Sequence, residues 1–371
     1  MIYLKTNVFE EAVKRVNMIF DHCDDVIVAM SGGKDSTVVF HLALEVAKEQ
    51  GRLPLKVFWL DQEAEWQHTV DYMRGIMHSP LVKPYWFQIP FDFTNSLSNQ
   101  ENFLRIWDEA KQDLWIHPKD EVSIKENPTK YNRFHKLINE LPKYCTDSDK
   151  MALLSGMRIE ESVNRRLAIS GSSATFFGET WANKPDGCKQ IFYPIYDFTH
   201  ADVWTAIAKN HWEYNKVYDL MYQYGLPKQR LRVSALIHET SWRSMELLQE
   251  TEPQTYNRFT KRVNGTSAMT HAFSEAEVVP TTLPFAFSSW KEYRDYLLEH
   301  IVKPEYHELF RKRWENQDGE DWYRIHVKEA IINDIDGTIN ENKATAMRYA
   351  GKKHEIIERE KKNGNKRPAN K

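Results

Sequence analysis

The sequence predicts an α/β protein, a doubly wound and mainly parallel sheet with an aromatic-rich insertion, followed by a mainly helical C-terminal domain. Three observations carry this. Val26-Ile27-Val28-Ala29-Met30 is an apolar run that ends in Ser31-Gly32-Gly33-Lys34-Asp35-Ser36, and a helical pattern begins inside that glycine turn. Leu55-Lys56-Val57-Phe58-Trp59-Leu60 is a second apolar run, and strand, crossover helix and strand at this spacing form a parallel unit. Strand patterns recur at 84–90, 152–158 and 190–193, with helical or irregular segments between them.

Taken in order, Val8, Ala12, Val16, Ile19 and Phe20 share one face of a helix over 8–20, with Glu10, Glu11, Lys14 and Arg15 opposite. The crossover helix spans 36–50 and stops at Gly51, with Pro54 beyond it. A further helix is expected over 66–77. Residues 91–145 are too long for a bare loop; their scattered aromatics and prolines predict an insertion with two short helices, packed over the sheet edge or closing as a lid. Trp107 and Trp115 are expected in its core. Thr199 caps a helix, with Asp202 placed to complete a capping box.

Helical segments follow at 242–250, 255–263, 289–301, 305–315 and 321–332, punctuated by Pro280, Pro284 and Pro304. The expected division is 1–235 for the sheet domain, 236–350 for the helical domain and 351–371 for a basic tail. The tail holds eight Lys/Arg against three Glu, a pattern usual for solvated chain that leaves contact with nucleic acid open.

Composition limits the functional classes. The 371 residues balance 50 Lys+Arg against 53 Asp+Glu for a net charge of −3, so no global field demands nucleic acid or membrane as a partner. No run of 18 apolar residues and no signal-peptide pattern occurs, which predicts a cytoplasmic protein. The three cysteines, Cys23, Cys145 and Cys188, are far apart and form no CxxC pair, so no iron–sulfur cluster is expected.

The glycine turn is the first candidate site. Adjacent glycines let the backbone approach a ligand, the first-turn amides of the next helix point at it, and Lys34 adds a cation. Val28, where a Walker loop needs glycine, excludes that loop, and no GxGxxG occurs. Ligands of open parallel sheets bind beyond the carboxyl ends of the strands. The second strand delivers Asp61-Gln62-Glu63-Ala64-Glu65 to that edge, where Asp61 suits magnesium or a ribose; Glu63 and Glu65 either join it or simply open the next helix. Gly156 and Arg158 arrive from a later strand. The guanidinium either meets phosphate oxygens or pairs with Glu160 or Glu161, and Arg165 or Arg166 follows one or two turns on.

These motifs, with Tyr193-Pro194-Ile195 and Asp202-Val203-Trp204, stand in an order that resembles the phosphoadenosine phosphosulfate (PAPS) reductase and ATP sulfurylase small-subunit branch of the PP-loop superfamily over about residues 20–235. This is the HUP-like adenine nucleotide alpha hydrolase fold. The resemblance implies binding of ATP, or a PAPS-like nucleotide, by Ser31, Gly32, Gly33, Lys34, Asp35, Ser36, Asp61, Gly156, Arg158 and Arg165. It implies catalysis by Lys34, Asp35, Asp61 and Arg158, with Mg2+ on Asp35 and Asp61, and cleavage between the α- and β-phosphates. After Cys188 there is no cysteine to serve as the tail nucleophile of a PAPS reductase, so sulfonucleotide reduction is expected to be lost. Asp61 to Trp66 and the aromatic insertion look closest to the immunoglobulin-binding regulator A group. That likeness implies a phage- or genomic-island-borne co-activator with a ParB-like partner, reaching nucleic acid through the partner or the tail, and it is compatible with an oligomer.

Overall fold

The computed structural model describes residues 6–96, 101–161, 169, 176–227, 231–233, 235–238, 244–266, 279–341 and 343–344. Helix α1 (Val8–His22) leads into β1 (Asp25–Ala29), α2 (Lys34–Glu49), β2 (Leu55–Leu60), α3 (Gln67–Met77) and β3 (Val82–Phe87). Beyond the insertion come β6 (Met151–Leu154) and β7 (Lys189–Phe192). These five strands form one parallel sheet in the order β3-β2-β1-β6-β7.

Alternation along the strands divides the core between the two faces. Val26, Val28, Val57, Trp59, Ala152 and Leu154 point to one face, where α1, α2, α3 and α5 (His200–Lys209) cover them. Ile27, Phe58, Leu60, Phe87, Met151 and Leu153 point to the other. That second face is covered by the insertion and by α6 (Val217–Gln223), α7 (Met245–Thr251) and α8 (Pro253–Arg262). Helices α7 and α8, which the sequence reading grouped with the C-terminal domain, therefore share a core with the sheet. A separate cluster joins α9 (Trp290–His300), α10 (His307–Trp314) and α11 (Glu320–Ile331).

The insertion holds the short helical segments expected of it and, beyond them, a pair of strands. It contains an antiparallel hairpin, β4 (Phe91–Thr94) with β5 (Phe103–Ile106), a 3-10 stretch at Glu109–Leu114 and the helix α4 (Phe134–Glu140). Alternating apolar residues on the hairpin, with Leu104 and Ile106 fully buried, make it a wall of the core. Trp107 and Trp115 are buried in it as expected. Thr199 and Asp202 form a complete capping box on α5.

The strand order also locates the site. Chain direction carries the sheet outward from β1 through β2 to β3, and then returns to add β6 on the other side of β1. The crevice at the carboxyl ends of β1 and β6 is thus the topological switch point, where open α/β sheets bind ligands.

Candidate functional site

Gly32 adopts a left-handed φ of 69°, and a Cβ there would stand 2.6 Å from Thr69 Cγ2, so only glycine fits. Asn215 holds this turn from outside the motif: its Nδ2 donates to the Gly32 carbonyl at 3.0 Å and to Thr69 Oγ1 at 2.8 Å. Gly33 is the N-cap of α2 and supplies no side-chain cap, which leaves the helix's first amides open to an anion. One is taken: the Lys34 amide donates to the Tyr218 hydroxyl at 3.0 Å. The Val233 amide meets the same oxygen, and burial pushes the Tyr218 phenol pKa upward. Ser36 donates to the Gly33 carbonyl at 2.9 Å, while the exposed Ser31 directs its amide to Ser36 Oγ at 3.4 Å.

From β6, Gly156 lies flat against the start of α2. A Cβ on it would come within 2.7 Å of the Asp35 carbonyl carbon and the Ser36 nitrogen. This contact is what brings Arg158, only 3% exposed, beside the glycine turn. Arg158 Nε donates to Asp35 Oδ1 at 2.6 Å, and its Nη1 donates both to Glu160 Oε2 at 2.9 Å and to the Phe198 carbonyl at 3.1 Å. Lys34 Nζ donates to Asp35 Oδ2 at 3.0 Å. Asp35 thus aligns two cations with its two oxygens, and of the two readings of Arg158 the structure displays the pairing with Glu160.

Lys34, Arg158, Glu160, His200 and Arg232 line a cavity of about 320 Å3, within the range of small-molecule sites. Burial, together with the charges of Lys34 and Arg158, lowers the His200 pKa, against the opposing pull of Asp35 and Glu160. Tyr218, Asn215, Thr69 and His200 belong to none of the motifs. Tyr218 and Asn215 lie 184 and 183 residues from their partners in the glycine turn, so no local spacing could have flagged them.

The acidic turn is arranged otherwise. Asp61 is fully buried. Its Oδ2 accepts from Trp86 Nε1 and Gln88 Nε2, both at 2.9 Å, and its Oδ1 accepts the Glu63 amide at 2.9 Å with His117 Nε2 at 3.4 Å. Glu63 has a left-handed φ of 60°, is fully buried, and accepts from Arg262 Nε at 2.7 Å and from the Trp107 amide at 2.7 Å. Glu65 is buried, and that burial, with Asp61 adding, holds its carboxyl well above the usual carboxylate range. The expected magnesium on Asp35 and Asp61 does not fit these donors. Asp61 spends both oxygens inside the protein, Asp35 spends both on cations, and no group of three metal-ligating side chains exists among the described residues. Arg165 lies outside the described residues.

Of the cysteines, Cys145 is buried with its thiol pushed up to about 12, and burial pushes Cys23 up to about 11, so neither is a ready thiolate at neutral pH.

Comparison with known proteins shows the family of the sheet domain. The model of the phosphoadenosine phosphosulfate reductase domain matches residues 25–224. The uncharacterized protein YbdN of Escherichia coli K12 is 28% identical over 273 residues, covering 71% of this chain and 67% of YbdN. Among solved structures, PAPS reductase from Candida auris in a phosphate complex is 14% identical with a TM-score of 0.31, over 59% of this chain and 93% of that one. FMN adenylyltransferase from Candida glabrata, solved with FMN and the ATP analog AMPCPP, is 14% identical with a TM-score of 0.33, over 59% of this chain. The chain spans 64% of the length of that enzyme. Structural likeness this weak leaves function to the family match and to the site itself. No described helix is long and apolar enough to cross a membrane.

Proposed function

The chain belongs to the phosphoadenosine phosphosulfate reductase domain family, and from that premise we propose that it binds ATP, or a related adenine nucleotide, in the crevice between β1 and β6 and cleaves it between the α- and β-phosphates. One observation supports this above the others: the uncapped start of α2, Lys34 and Arg158 converge at the switch point on a cavity of about 320 Å3. The open amides and Lys34 hold the terminal phosphates. Arg158, aligned by Asp35, stabilises charge at the α-phosphate while an acceptor oxygen attacks phosphorus and the bond to the bridging oxygen breaks, releasing pyrophosphate. No step runs through a metal ion. Sulfonucleotide reduction is absent from this proposal because no described cysteine lines the cavity and no cysteine follows Cys188.

The test follows labelled ATP through the wild type, Lys34→Ala and Arg158→Ala. The wild type is expected to release AMP or an adenylylated product with pyrophosphate, and each variant to fall by about a hundredfold, the usual scale for losing one charge-stabilising group. If ATP raises the melting temperature but nothing is released, alone or with a ParB-like protein and DNA, the chain is a nucleotide-binding regulator of the co-activator kind. Absence of both binding and release overturns the nucleotide reading.

A further inference from the structure

We propose that a second cavity, between the insertion and α8, is an anion site for an organic diphosphate of nucleoside-diphosphate size. It rests on its own observations and not on the nucleotide reading above. The cavity measures about 710 Å3, and Lys119 and Lys125 from the insertion face Arg258 and Lys261 of α8 across it.

Lys119 is the built part of the site. Its side chain is only 7% exposed and its charge is matched by Glu109; its Nζ lies 4.8 Å from the Trp115 ring centroid and 5.8 Å from that of Trp107. A lysine held on two indole faces is fixed in place before any ligand arrives. Arg258 is anchored by one bond from NH1 to the Ile116 carbonyl at 3.1 Å, which leaves the rest of its planar fork for an anion. Lys125 and Lys261 are exposed and form no ion pair among the described residues. The carboxyl end of α8 accounts for a cation at Lys261, but it does not account for Lys125 or Arg258.

Two carboxylates share the lining, Glu109 and Asp113, and Glu109 is already committed to Lys119. The cavity therefore keeps an excess of positive charge in a chain whose net charge is −3. Four cations against these two carboxylates leave an excess of two positive charges, which suits the two or more negative charges of a diphosphate. Leu114, Trp115 and Pro118 add apolar lining that a bare inorganic ion would leave unused, which favours a ligand with an organic body.

The probe is uridine diphosphate, whose pyrimidine base sets it apart from the adenine nucleotide of the first cavity. Calorimetric titration of the full chain at low salt is expected to show UDP binding that weakens as salt is raised. Lys125→Ala/Lys261→Ala should weaken it at least tenfold with an unchanged melting temperature, because both side chains are exposed. Arg232→Ala, at the first cavity, should leave it unchanged. Failure of the wild type to bind UDP, binding that survives the double substitution, or binding lost with Arg232→Ala would each overturn the proposal.

Discussion

The glycine turn after β1 and the acidic turn after β2 stand at the same edge of neighbouring parallel strands, and the fold uses them in opposite ways. At Ser31–Ser36 the N-cap Gly33 offers the helix no side-chain cap, and Lys34 and Arg158 line a cavity. At Asp61–Glu65 three carboxylates turn into the protein and are covered by the insertion and α8. The difference lies in what packs above each turn. Trp86, Gln88, Trp107 and Arg262 enclose the acidic turn, whereas the glycine turn is gripped from its sides by Asn215, Tyr218 and Gly156. A charged residue at a strand's carboxyl end is thus a candidate for ligand contact only until its cover is known.

The strongest way to break this comparison is Arg262→Ala. It leaves the Glu63 carboxylate buried without its cation, on a backbone already held at a left-handed φ of 60°. Removing one partner of a buried pair costs about 3–5 kcal/mol, so denaturant unfolding should register a large loss. ATP affinity of the folded fraction should stay the same, because the pair is structural; a selective loss of affinity would place the acidic turn in the nucleotide site after all.

Tyr218→Phe probes the other region with a smaller effect. It removes the acceptor of the Lys34 amide and costs about 1–2 kcal/mol. Here ATP affinity should fall alongside stability, since Tyr218 fixes the start of α2 through that amide and its loss lets the glycine turn shift. Unchanged affinity would show that this clamp positions nothing the ligand uses.

Glu65→Gln gives the smallest and most diagnostic change. Burial raises the Glu65 pKa, so the folded state holds its proton more tightly than the unfolded chain does. That stability is fully present below the unfolded carboxyl pKa and is lost as pH rises through the folded value. The variant should match the wild type at about pH 4 and exceed it in melting temperature at about pH 8. Equal curves at both ends would mean that Glu65 is solvated and the turn is open.

Much of the fold was legible because its signals are local. The β2 run at 55–60 coincides with the strand, and the crossover helix, Gly51 stop and Thr199 cap depend on residues next to one another. The hairpin at Phe91–Ile106 was not legible, since its pairing partners are separated by the turn and its alternation is short. Of the site, Gly32, Gly33, Lys34 and Arg158 stood out by type and position. Tyr218 and Asn215 did not, because each is an ordinary residue of its own segment that meets the turn only after the chain has folded back.

By itself, the sequence determined the parallel sheet and the glycine turn at its switch point, since hydrophobic period and glycine placement are properties of the chain. Tertiary structure decided the facing of the carboxylates. Asp61 and Glu63 pass from candidate ligands to buried anchors because Trp86 and Gln88 from the β3 edge, and Arg262 from α8, supply donors inside the protein that replace the water each carboxylate would otherwise need. Asp35 keeps its place at the site for the converse reason: its partners, Lys34 and Arg158, themselves line the cavity.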